Sequence, residues 1–272
     1  MKAIDKARVR RSFDRQAVFY DETVDVQKRV VEQLAAQLRD AAGTDTPGRV
    51  LDVGAGTGML IQKIRALYVD SLLVGLDQAA GMGNCSIAGS RGRGGVARVT
   101  GDGESLPFAD CSFDLVLSTS TFQWLNSLDA AFREIERVLA SGGCFRFALF
   151  GGGTMTELRH CYRRALEEAG RIAEDRSHSF FSVDEVADAL GRAGFSQCDT
   201  RSTLETEQYD SVKSLLLALR RIGAGNASTG GRRGLQSRRV MRRMSEIYQE
   251  EFGCERRIPV TYEVIWGAGR KA

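Results

Sequence analysis

The sequence predicts an α/β fold, in which a mostly parallel sheet is covered by helices on both faces. Short, mostly apolar runs between turn residues alternate with amphipathic segments over residues 49–150, which is the pattern of successive β-α-β units. In addition, the first run, 49–53, leads through a glycine-rich loop into helical periodicity over 59–64. Strand, glycine loop and helix in this order are typical of α/β sheets that bind a ligand at a helix N-terminus.

Length and composition fit a globular protein whose 272 residues can bury a sizeable core. The net charge of +3 is too small to indicate nucleic-acid binding. Six scattered cysteines without a C-x-x-C pair, and only two histidines, supply no cluster of metal ligands. No apolar run approaches a membrane span, and residues 1–11 are charged without an apolar core behind them. We therefore expect a cytoplasmic protein with reduced thiols and no metal, membrane partner or signal peptide.

Each element can be placed in order along the chain. Two amphipathic helices are expected within 5–40. Strands are expected at 49–53, 72–77, 96–100, 113–118, 144–150, about 195–203 and 258–267. Helices are expected at 59–64, 129–139, 154–170, 182–190, 209–222 and 235–252.

This order predicts a single domain, 1–272, with additions around one core. Its parts are an N-terminal helical cap at 1–45, a ligand-binding core at 46–150, helical insertions at about 151–181 and 206–255, and a last strand at about 258–268. The cap and the insertions are expected to cover the carboxyl ends of the strands, where open α/β sheets bind ligands.

The loop after the first strand carries Gly54, Gly56 and Gly58, glycines at every second position. Glycine admits a ligand close to the backbone N–H groups, and the following helix N-terminus adds partial positive charge. A dinucleotide fingerprint would need Gly or Ala where Met59 stands, which excludes that cofactor class. With Asp52 two residues before the first glycine, the pattern resembles motif I of S-adenosylmethionine (SAM) methyltransferases. A purely structural glycine turn is the alternative.

Acidic and small polar residues follow at successive strand ends. Asp77 ends the second strand, where a carboxylate can accept hydrogen bonds from both ribose hydroxyls of the cofactor. Asp102 follows the third strand and can accept from the adenine amino group, while Gly103 offers an N–H. Ser118 ends the fourth strand, beside the expected position of the sulfonium. Each acid alone could be a solvated loop residue. The glycine loop, Asp77, Asp102 and Ser118 together, in this order at successive strand ends, resemble motifs I to IV of class I methyltransferases. The candidate cofactor residues are Asp52, Gly54, Ala55, Gly56, Gly58, Asp77, Gln78, Asp102, Gly103 and Ser118.

Five segments carry a narrower resemblance. They are FDRQAxxYD at 13–21 followed by Gln27, STSTFQWL at 118–125, FGxxTMxEL at 150–158, LRRIGA at 219–224 and VTYEVIxG at 260–267. They are similar to signatures of the malonyl-[acyl carrier protein] O-methyltransferases of biotin synthesis, along nearly the whole chain. The resemblance implies a Rossmann-like class I methyltransferase sheet, mostly parallel with its last strand antiparallel, and helical cap insertions. Gly225 and Asn226 stand where the family often has a Thr-His pair, so no role of that histidine transfers.

The resemblance also implies transfer of a methyl group from SAM to the free carboxylate of a malonyl thioester, carried by acyl carrier protein or CoA. The methyl ester hides a charge and so can prime pimeloyl synthesis for biotin. A carboxylate is ionised at neutral pH and is itself the nucleophile, so no general base is expected. Alignment with the sulfonium and exclusion of water are needed instead.

Two other kinds of function stay open on the residues. The same cofactor could serve a small free carboxylic acid of the aconitate kind or a quinone precursor, because relatives that methylate small polycarboxylates also carry Phe-Gln-Trp, here at 122–124. The chain could also be a non-catalytic SAM-binding module that docks a partner through its basic insertion.

Three residues are candidates for the methyl-transfer pocket. Tyr20 is expected to close over the methionine end of SAM. Gln123 and Trp124 are expected to line the acceptor pocket, with Gln123 donating to a substrate oxygen. Packing in a contact between helices is the alternative for Tyr20, and packing in the core is the alternative for Trp124. His160 and His178 are expected in structural or surface positions.

The segment from Arg220 to Arg243 contains eight arginines and no acid. Such a run is often a solvated face, but it also suits the docking of a strongly acidic acyl carrier protein. Arg220 and Arg221 are candidates for pairing with the malonyl carboxylate. The candidate docking residues are Arg220, Arg221, Arg238, Arg239 and Arg242, in a run that also contains Arg232 and Arg233.

Overall fold

A computed structural model describes residues 4–41, 46–84, 95–172, 175, 177–223, 238–255 and 257–272. Its strands are β1 (Arg49–Val53), β2 (Leu72–Asp77), β3 (Val96–Thr100), β4 (Phe113–Thr119), β5 (Leu139–Phe150), β6 (Ser196–Tyr209) and β7 (Ile258–Arg270). Its helices are α1 (Lys6–Thr23), α2 (Asp25–Asp40), α3 (Met59–Ile64), α4 (Leu128–Val138), α5 (Thr156–Glu168), α6 (Val183–Ala193), α7 (Val212–Arg221) and α8 (Arg238–Phe252), with short 3-10 turns at Ala80–Asn84 and Phe122–Trp124. None of these helices is long and apolar enough to cross a membrane.

The strands of the described residues form one sheet in the order β3-β2-β1-β4-β5-β7-β6. The five strands β1 to β5 are all parallel to one another, and β7 is antiparallel to both β5 and β6. This confirms the mostly parallel sheet with an antiparallel last strand, although β6 and not β7 forms the edge. The order reverses at β1, which has β2 on one side and β4 on the other. Open α/β sheets leave a crevice for a ligand at such a switch point.

Adjacent residues of the core strands are buried on opposite faces of the sheet. Val50 belongs to the apolar layer that includes α2, α3, α5, α7 and α8, whereas Leu51 belongs to the layer that includes α4 and α6. Because helices cover both faces of the sheet, side chains on both sides of a core strand are buried. This explains why the core strands are continuous apolar runs rather than alternating polar and apolar residues.

β6 is longer than the sequence predicts. It pairs with β7 along its whole length, from Ser196 opposite Arg270 to Tyr209 opposite Ile258. The second insertion therefore begins after Tyr209, rather than at about residue 206. Residues 204–209 are all exposed or half-exposed, and Leu204 is the one aliphatic residue among them. This part of the edge strand is formed by backbone pairing with β7, so its side chains show little of the apolar pattern that predicts a strand.

The N-terminal helices cover the carboxyl ends of the core strands. α1 packs against the turn at Ala80–Asn84 and against α7. Asp14 of α1 accepts from the Gly81 N–H at 2.9 Å, and Asp21 accepts from the Thr57 hydroxyl at 2.7 Å. These contacts hold α1 over the crevice beside β1.

Candidate active site

The loop after β1 has a backbone that favours glycine. Gly54, Gly56 and Gly58 have φ angles of +76°, +54° and +86°, which lie in the left-handed region. A Cβ atom at Gly54 would overlap the side chain of Thr121. The Gly54 N–H donates to the Leu76 carbonyl at 2.7 Å, so the loop is held against the end of β2.

Asp77, at the end of β2, is joined to this loop through its carboxylate. Oδ2 accepts from the Gly56 N–H at 2.8 Å, and Oδ1 accepts from the Ala79 N–H at 2.8 Å. Burial raises the pKa of Asp77, although these two N–H donors oppose the change. Each oxygen keeps a lone pair, so the carboxylate can accept further hydrogen bonds from a ligand in the crevice.

A cavity of about 100 Å³ lies over these groups. Half of the candidate cofactor residues line it, namely Gly54, Gly56, Asp77, Gln78 and Gly103. The candidates that do not line it are Asp52, Ala55, Gly58, Asp102 and Ser118. The glycine loop and the end of β2 therefore line one cavity, and cofactor binding by these residues stays a prediction.

A second cavity, of about 290 Å³, adjoins the first. Both are lined by Phe13, Tyr20, Ser120 and Trp124, so the two spaces meet at these side chains. Residues of α5, α7 and α8 supply much of the mostly apolar wall of the second cavity. Two adjoining sites, one polar and glycine-rich and one apolar, suit the transfer of a group between two bound molecules.

The chain matches a methyltransferase domain family over residues 51–147. It is 46% identical to a malonyl-[acyl-carrier protein] O-methyltransferase of Geobacter sulfurreducens, over 98% of this chain and 100% of that protein. A protein of the same name from Methylovorus is 38% identical, over 97% of this chain and 88% of that protein. The chain belongs to the malonyl-[acyl-carrier protein] O-methyltransferase family. This membership confirms the expected class, a SAM-dependent methyltransferase, and SAM as its cofactor.

Solved structures share the fold of this methyltransferase at low sequence identity. The YcgJ protein from Bacillus subtilis aligns with a TM-score of 0.61 at 20% identity, covering 88% of this chain and 98% of that chain. Phosphoethanolamine N-methyltransferase 2 from Haemonchus contortus, solved with SAM, aligns with a TM-score of 0.54 at 17% identity, covering 89% of this chain and 53% of that chain. These likenesses confirm the Rossmann-like methyltransferase fold.

Asp52, the acid that precedes the glycine loop, provides a test of whether the methyltransferase residues fit SAM. It is 2% exposed, and its Oδ1 has no hydrogen-bond partner among the described residues. Burial, together with the negative charge of Asp77, raises the pKa of Asp52 to about 7. A buried carboxylate oxygen without a partner is unfavourable. A cation in the cavity that the next two residues line, such as the ammonium of SAM, would stabilise its negative charge. The acid, the glycine loop and Asp77 therefore fit this cofactor.

Ser118 lies in a different environment from the one predicted. It is fully buried, and its hydroxyl donates to the Val53 carbonyl at 2.8 Å. This bond joins β4 to β1. Side chains alternate between faces along β4, so Thr119, its last residue, lies on the opposite face from Ser118. Thr119 lines the cofactor cavity, and so does Ser120 just after the strand. The structure thus corrects the prediction that Ser118 lies beside the sulfonium.

Asp102 is engaged by the N-terminal cap. Lys6 Nζ contacts its two carboxylate oxygens at 2.8 and 2.7 Å, and the Glu104 N–H donates to Oδ1 at 3.0 Å. Gly103 and Lys6 both line the cavity. The adenine-binding role of Asp102 stays a prediction, and it requires Lys6 to share this carboxylate or to move.

Three aromatic side chains lie where the two cavities meet. Phe13 packs edge-to-face against Tyr20, with ring centres 6.1 Å apart, and against Trp124, with ring centres 5.8 Å apart. Burial and the nearby charges of Asp77 and Asp21 raise the pKa of Tyr20, so its phenol stays protonated at neutral pH. Phe13 is absent from the predicted site residues, although its place in the 13–21 signature is a signal that points to it.

Gln123 and His178 form a polar contact in the wall of the acceptor cavity. Gln123 is 1% exposed; its amide N–H donates to the Ser120 carbonyl at 2.7 Å, and its Oε1 has no partner among the described residues. His178 Nε2 lies 3.0 Å from the Gln123 backbone carbonyl, and its ring packs on Trp124 with ring centres 5.0 Å apart. Burial lowers the pKa of His178, so the ring is neutral at pH 7. The structure thus places His178 in the cavity wall, whereas His160 is exposed and lies 2.9 Å from Glu251, as a surface position predicts.

The arginines of the basic run lie in different environments. Arg220 is exposed at the rim of the acceptor cavity. Arg242 pairs with Glu246 at 3.6 Å, and Arg243 pairs with Glu168 at 2.7 Å. The other exposed candidates are Arg221, Arg238 and Arg239. The positions outside the described residues are Gly225, Asn226, Arg232 and Arg233. Part of the run is therefore balanced by acids, and Arg242 is the one docking candidate that has an acidic partner among the described residues.

Proposed function

We propose that this methyltransferase transfers the methyl group of SAM to the free carboxylate of a malonyl thioester on acyl carrier protein, giving the methyl ester that primes pimeloyl synthesis for biotin. The observation that carries the proposal is the meeting of the two cavities at Phe13, Tyr20 and Trp124. One cavity contains the glycine loop and Asp77, and the other is apolar and large enough for a short acyl group. The shared name of the relatives supports this acceptor.

The cofactor side of the site is assigned residue by residue. Gly54 and Gly56 line the cavity and would hold the methionine end of SAM. Asp52 is buried and does not line the cavity, and its negative charge would attract the ammonium. Asp77 would accept from the ribose hydroxyls through its remaining lone pairs. When bound, SAM supplies an electrophilic methyl group on a positively charged sulfur.

The acceptor side needs no proton transfer. A carboxylate is ionised at neutral pH and attacks directly, so the protein has to orient it and to exclude water. Tyr20 and Trp124 line both cavities and can exclude water from the space between them. Tyr20 is neutral at this pH and His178 is neutral with Nε2 facing the Gln123 carbonyl, so neither adds a charge at the point of transfer.

Delivery of the acyl group is the part in which carrier and CoA substrates differ. Arg220 at the cavity rim, with Arg221, Arg238 and Arg239 on α7 and α8, presents positive charge on the side where the long arm would enter. An acidic carrier protein would be attracted to this surface. Malonyl-CoA would use the same cavity but little of the surface, so we propose that the carrier-bound substrate is preferred.

The decisive experiment supplies methyl-labelled SAM together with malonyl-acyl carrier protein, malonyl-CoA, free malonate or aconitate in parallel. We expect label on the malonyl thioesters, with the carrier-bound form used best. Label only on the small free acids would refute the proposal. Saturable SAM binding without transfer to any of these acceptors would favour the non-catalytic binding module instead.

A further inference from the structure

Arg159, on α5, is a cation in the wall of the acceptor cavity. Its side chain is half-buried, and its Nε is buried without a hydrogen-bond partner among the described residues. One terminal nitrogen donates to the Gly152 carbonyl, and the guanidinium carbon lies 5.8 Å from the centre of the Phe180 ring. The side chain is therefore held at two points, while one of its donors has no acceptor.

The acids whose charges act most on Arg159 are Asp175, Glu157 and Glu263, and each accepts hydrogen bonds from other groups. Asp175 Oδ1 accepts from the Ser177 N–H at 2.8 Å and from the Ser177 hydroxyl at 2.6 Å. The Glu157 carboxylate accepts from the Thr261 N–H at 3.1 Å, and Glu263 Oε2 accepts from the Gly153 N–H at 2.6 Å. Among the described residues, no Asp or Glu oxygen lies within ion-pair distance of the Arg159 guanidinium, in contrast to Arg164, Arg192 and Arg243, which have acidic partners.

The Arg159 guanidinium lies in a mostly apolar wall and lacks a paired carboxylate among the described residues. Burial lowers the pKa of Arg159, which shows that the charged form loses more solvation than its neighbours restore. Partly buried charges are retained where they are paired and hydrogen-bonded. The missing partner is an anion with oxygen acceptors, and the cavity that Arg159 lines is the proposed site for such a group.

We propose that Arg159 binds the carboxylate of the acceptor and makes the enzyme selective for acyl groups that end in a carboxylate. This assignment rests on the proposed function, and it replaces Arg220 and Arg221 as the carboxylate partner. Nε and a second N–H of the guanidinium can donate to the carboxylate in the forked geometry that arginine favours. Arg220, exposed at the rim, is screened by solvent and is left to contact the carrier or the arm.

The reaction itself changes the charge that Arg159 meets. An acceptor oxygen forms a bond to the methyl carbon, the carbon–sulfur bond of SAM breaks, and its electron pair stays on sulfur, which becomes neutral. The acceptor leaves as a neutral ester, so Arg159 loses an anionic partner in the same step. Arg159 therefore binds the substrate more tightly than the product and favours release of the ester.

Binding of a malonyl thioester and of its carboxamide analogue, malonamyl thioester, tests this assignment. Both are titrated as CoA thioesters in the presence of S-adenosylhomocysteine, so that no methyl transfer takes place. For the wild-type enzyme, we expect the carboxylate form to bind about tenfold or more tightly than the carboxamide. For Arg159→Gln, we expect equal binding of the two, a KM for malonyl thioester raised by about tenfold or more, and a Kd for SAM unchanged within about twofold.

Arg163→Gln is the matched control, because Arg163 lies on the same helix, is exposed and pairs with Glu167 at 3.3 Å. It should keep the full preference for the carboxylate, as should Arg220→Gln. An Arg159→Gln enzyme that still prefers the carboxylate, or an equal loss in Arg163→Gln, would overturn the assignment. If Arg159→Gln fails to bind SAM, Arg159→Lys and the wild-type comparison replace it: lysine should restore part of the preference, and equal binding of both analogues by the wild type would refute the assignment.

The two levels of the proposal fail in different ways. If the wild-type enzyme does not methylate malonyl thioesters, the proposed function is wrong. If it does, and Arg159→Gln is as efficient and as selective, the proposed function stands and only the role of Arg159 is wrong.

Discussion

Lys6 Nζ lies 2.8 and 2.7 Å from the two carboxylate oxygens of Asp102, a residue 96 positions further along the chain. Lys6 also pairs with Glu104. The first turn of α1 is thereby fastened across the end of the cofactor cavity where the adenine is expected. We therefore expect this end of the helix to move when SAM is exchanged.

Replacing Lys6 should therefore change the kinetics of cofactor exchange. Lys6→Met is expected to raise the SAM dissociation rate about fivefold, because a half-exposed ion pair contributes about 1 kcal/mol at most. Stopped-flow fluorescence is a suitable measurement, since Trp124 lines the cavity. Lys28→Met is the control, because Lys28 lies on α2 and pairs with Asp25 at 3.7 Å. Equal dissociation rates in all three proteins would contradict this view of α1.

Asp77→Asn should weaken SAM binding by about tenfold or more, because hydrogen bonds to a charged acceptor contribute about 1.5–3 kcal/mol. Asparagine preserves the size of the side chain and one oxygen for the Gly56 or Ala79 N–H. Calorimetric titration with SAM measures the effect, and Asp70→Asn, at an exposed position, is the control. Unchanged affinity in Asp77→Asn would count against the cofactor assignment.

The raised pKa of Asp52 makes the stability of the SAM-free protein depend on pH. Burial raises the pKa of Asp52 from 3.8 to about 7, so between about pH 4 and 7 the folded state binds more protons than the unfolded state. The free energy of unfolding therefore falls as pH rises through this window, by up to about 4 kcal/mol. The raised pKa of Asp77 acts in the same direction.

Asp52→Asn removes the contribution of Asp52 to this pH dependence. Relative to the wild type, the variant is expected to become more stable as the pH rises from 5 to 8. Urea unfolding without SAM, at both pH values, measures the difference between the two proteins. A difference that is the same at pH 5 and pH 8 would show that Asp52 has an ordinary pKa.

Charge reversal at Arg238 and Arg239 tests carrier docking. The double Glu variant is expected to raise the KM for malonyl-acyl carrier protein by about tenfold and to leave the KM for malonyl-CoA nearly unchanged, since rim charges act mainly on the association of charged partners. The effect on the carrier substrate should shrink at high salt. Arg201→Glu, at an exposed position on β6, is the control, and equal effects on both substrates would argue against docking at α8.

Trp124 is expected to contribute to methyl transfer by excluding water where the cavities meet. Trp124→Ala should lower kcat for malonyl thioester by about tenfold or more, because water would solvate the attacking carboxylate. Trp124→Phe should retain most of the activity, since an aromatic ring can still pack on Phe13 and His178. Single-turnover rates separate this effect from substrate binding; an Ala variant as fast as the Phe variant would show that Trp124 is only a packing residue.

The cofactor side of the site is the part that can be predicted from sequence. The glycine loop, Asp77 and Gly103 follow strands whose apolar runs are local features, and parallel strands bring their carboxyl ends to one edge of the sheet. Chain order alone thus places these groups together. Ser118 shows the limit of this reasoning, because an error of one residue at the end of β4 reverses the face on which a side chain lies.

The acceptor side depends on contacts between distant segments. His178 lies 55 residues from Gln123, yet its Nε2 meets the Gln123 carbonyl at 3.0 Å. Arg159 is one of many arginines in the sequence, and nothing in its neighbours along the chain distinguishes it from Arg163. Arg159 differs from Arg163 because it lines the cavity and its Nε is buried without a hydrogen-bond partner, while Glu157 and Glu263 bond to other groups.

Short segments of the chain are enough to predict the α/β fold, the methyltransferase family and five of the residues that line the cofactor cavity, because strand burial, glycine conformation and motif order are local properties. Within the described part of the chain, packing between distant segments sets which cations stay exposed, which pair with an acid, and that Arg159 lies half-buried without a paired carboxylate. That outcome depends on the solvation and the neighbours of each side chain, which are set by packing between segments far apart in the chain.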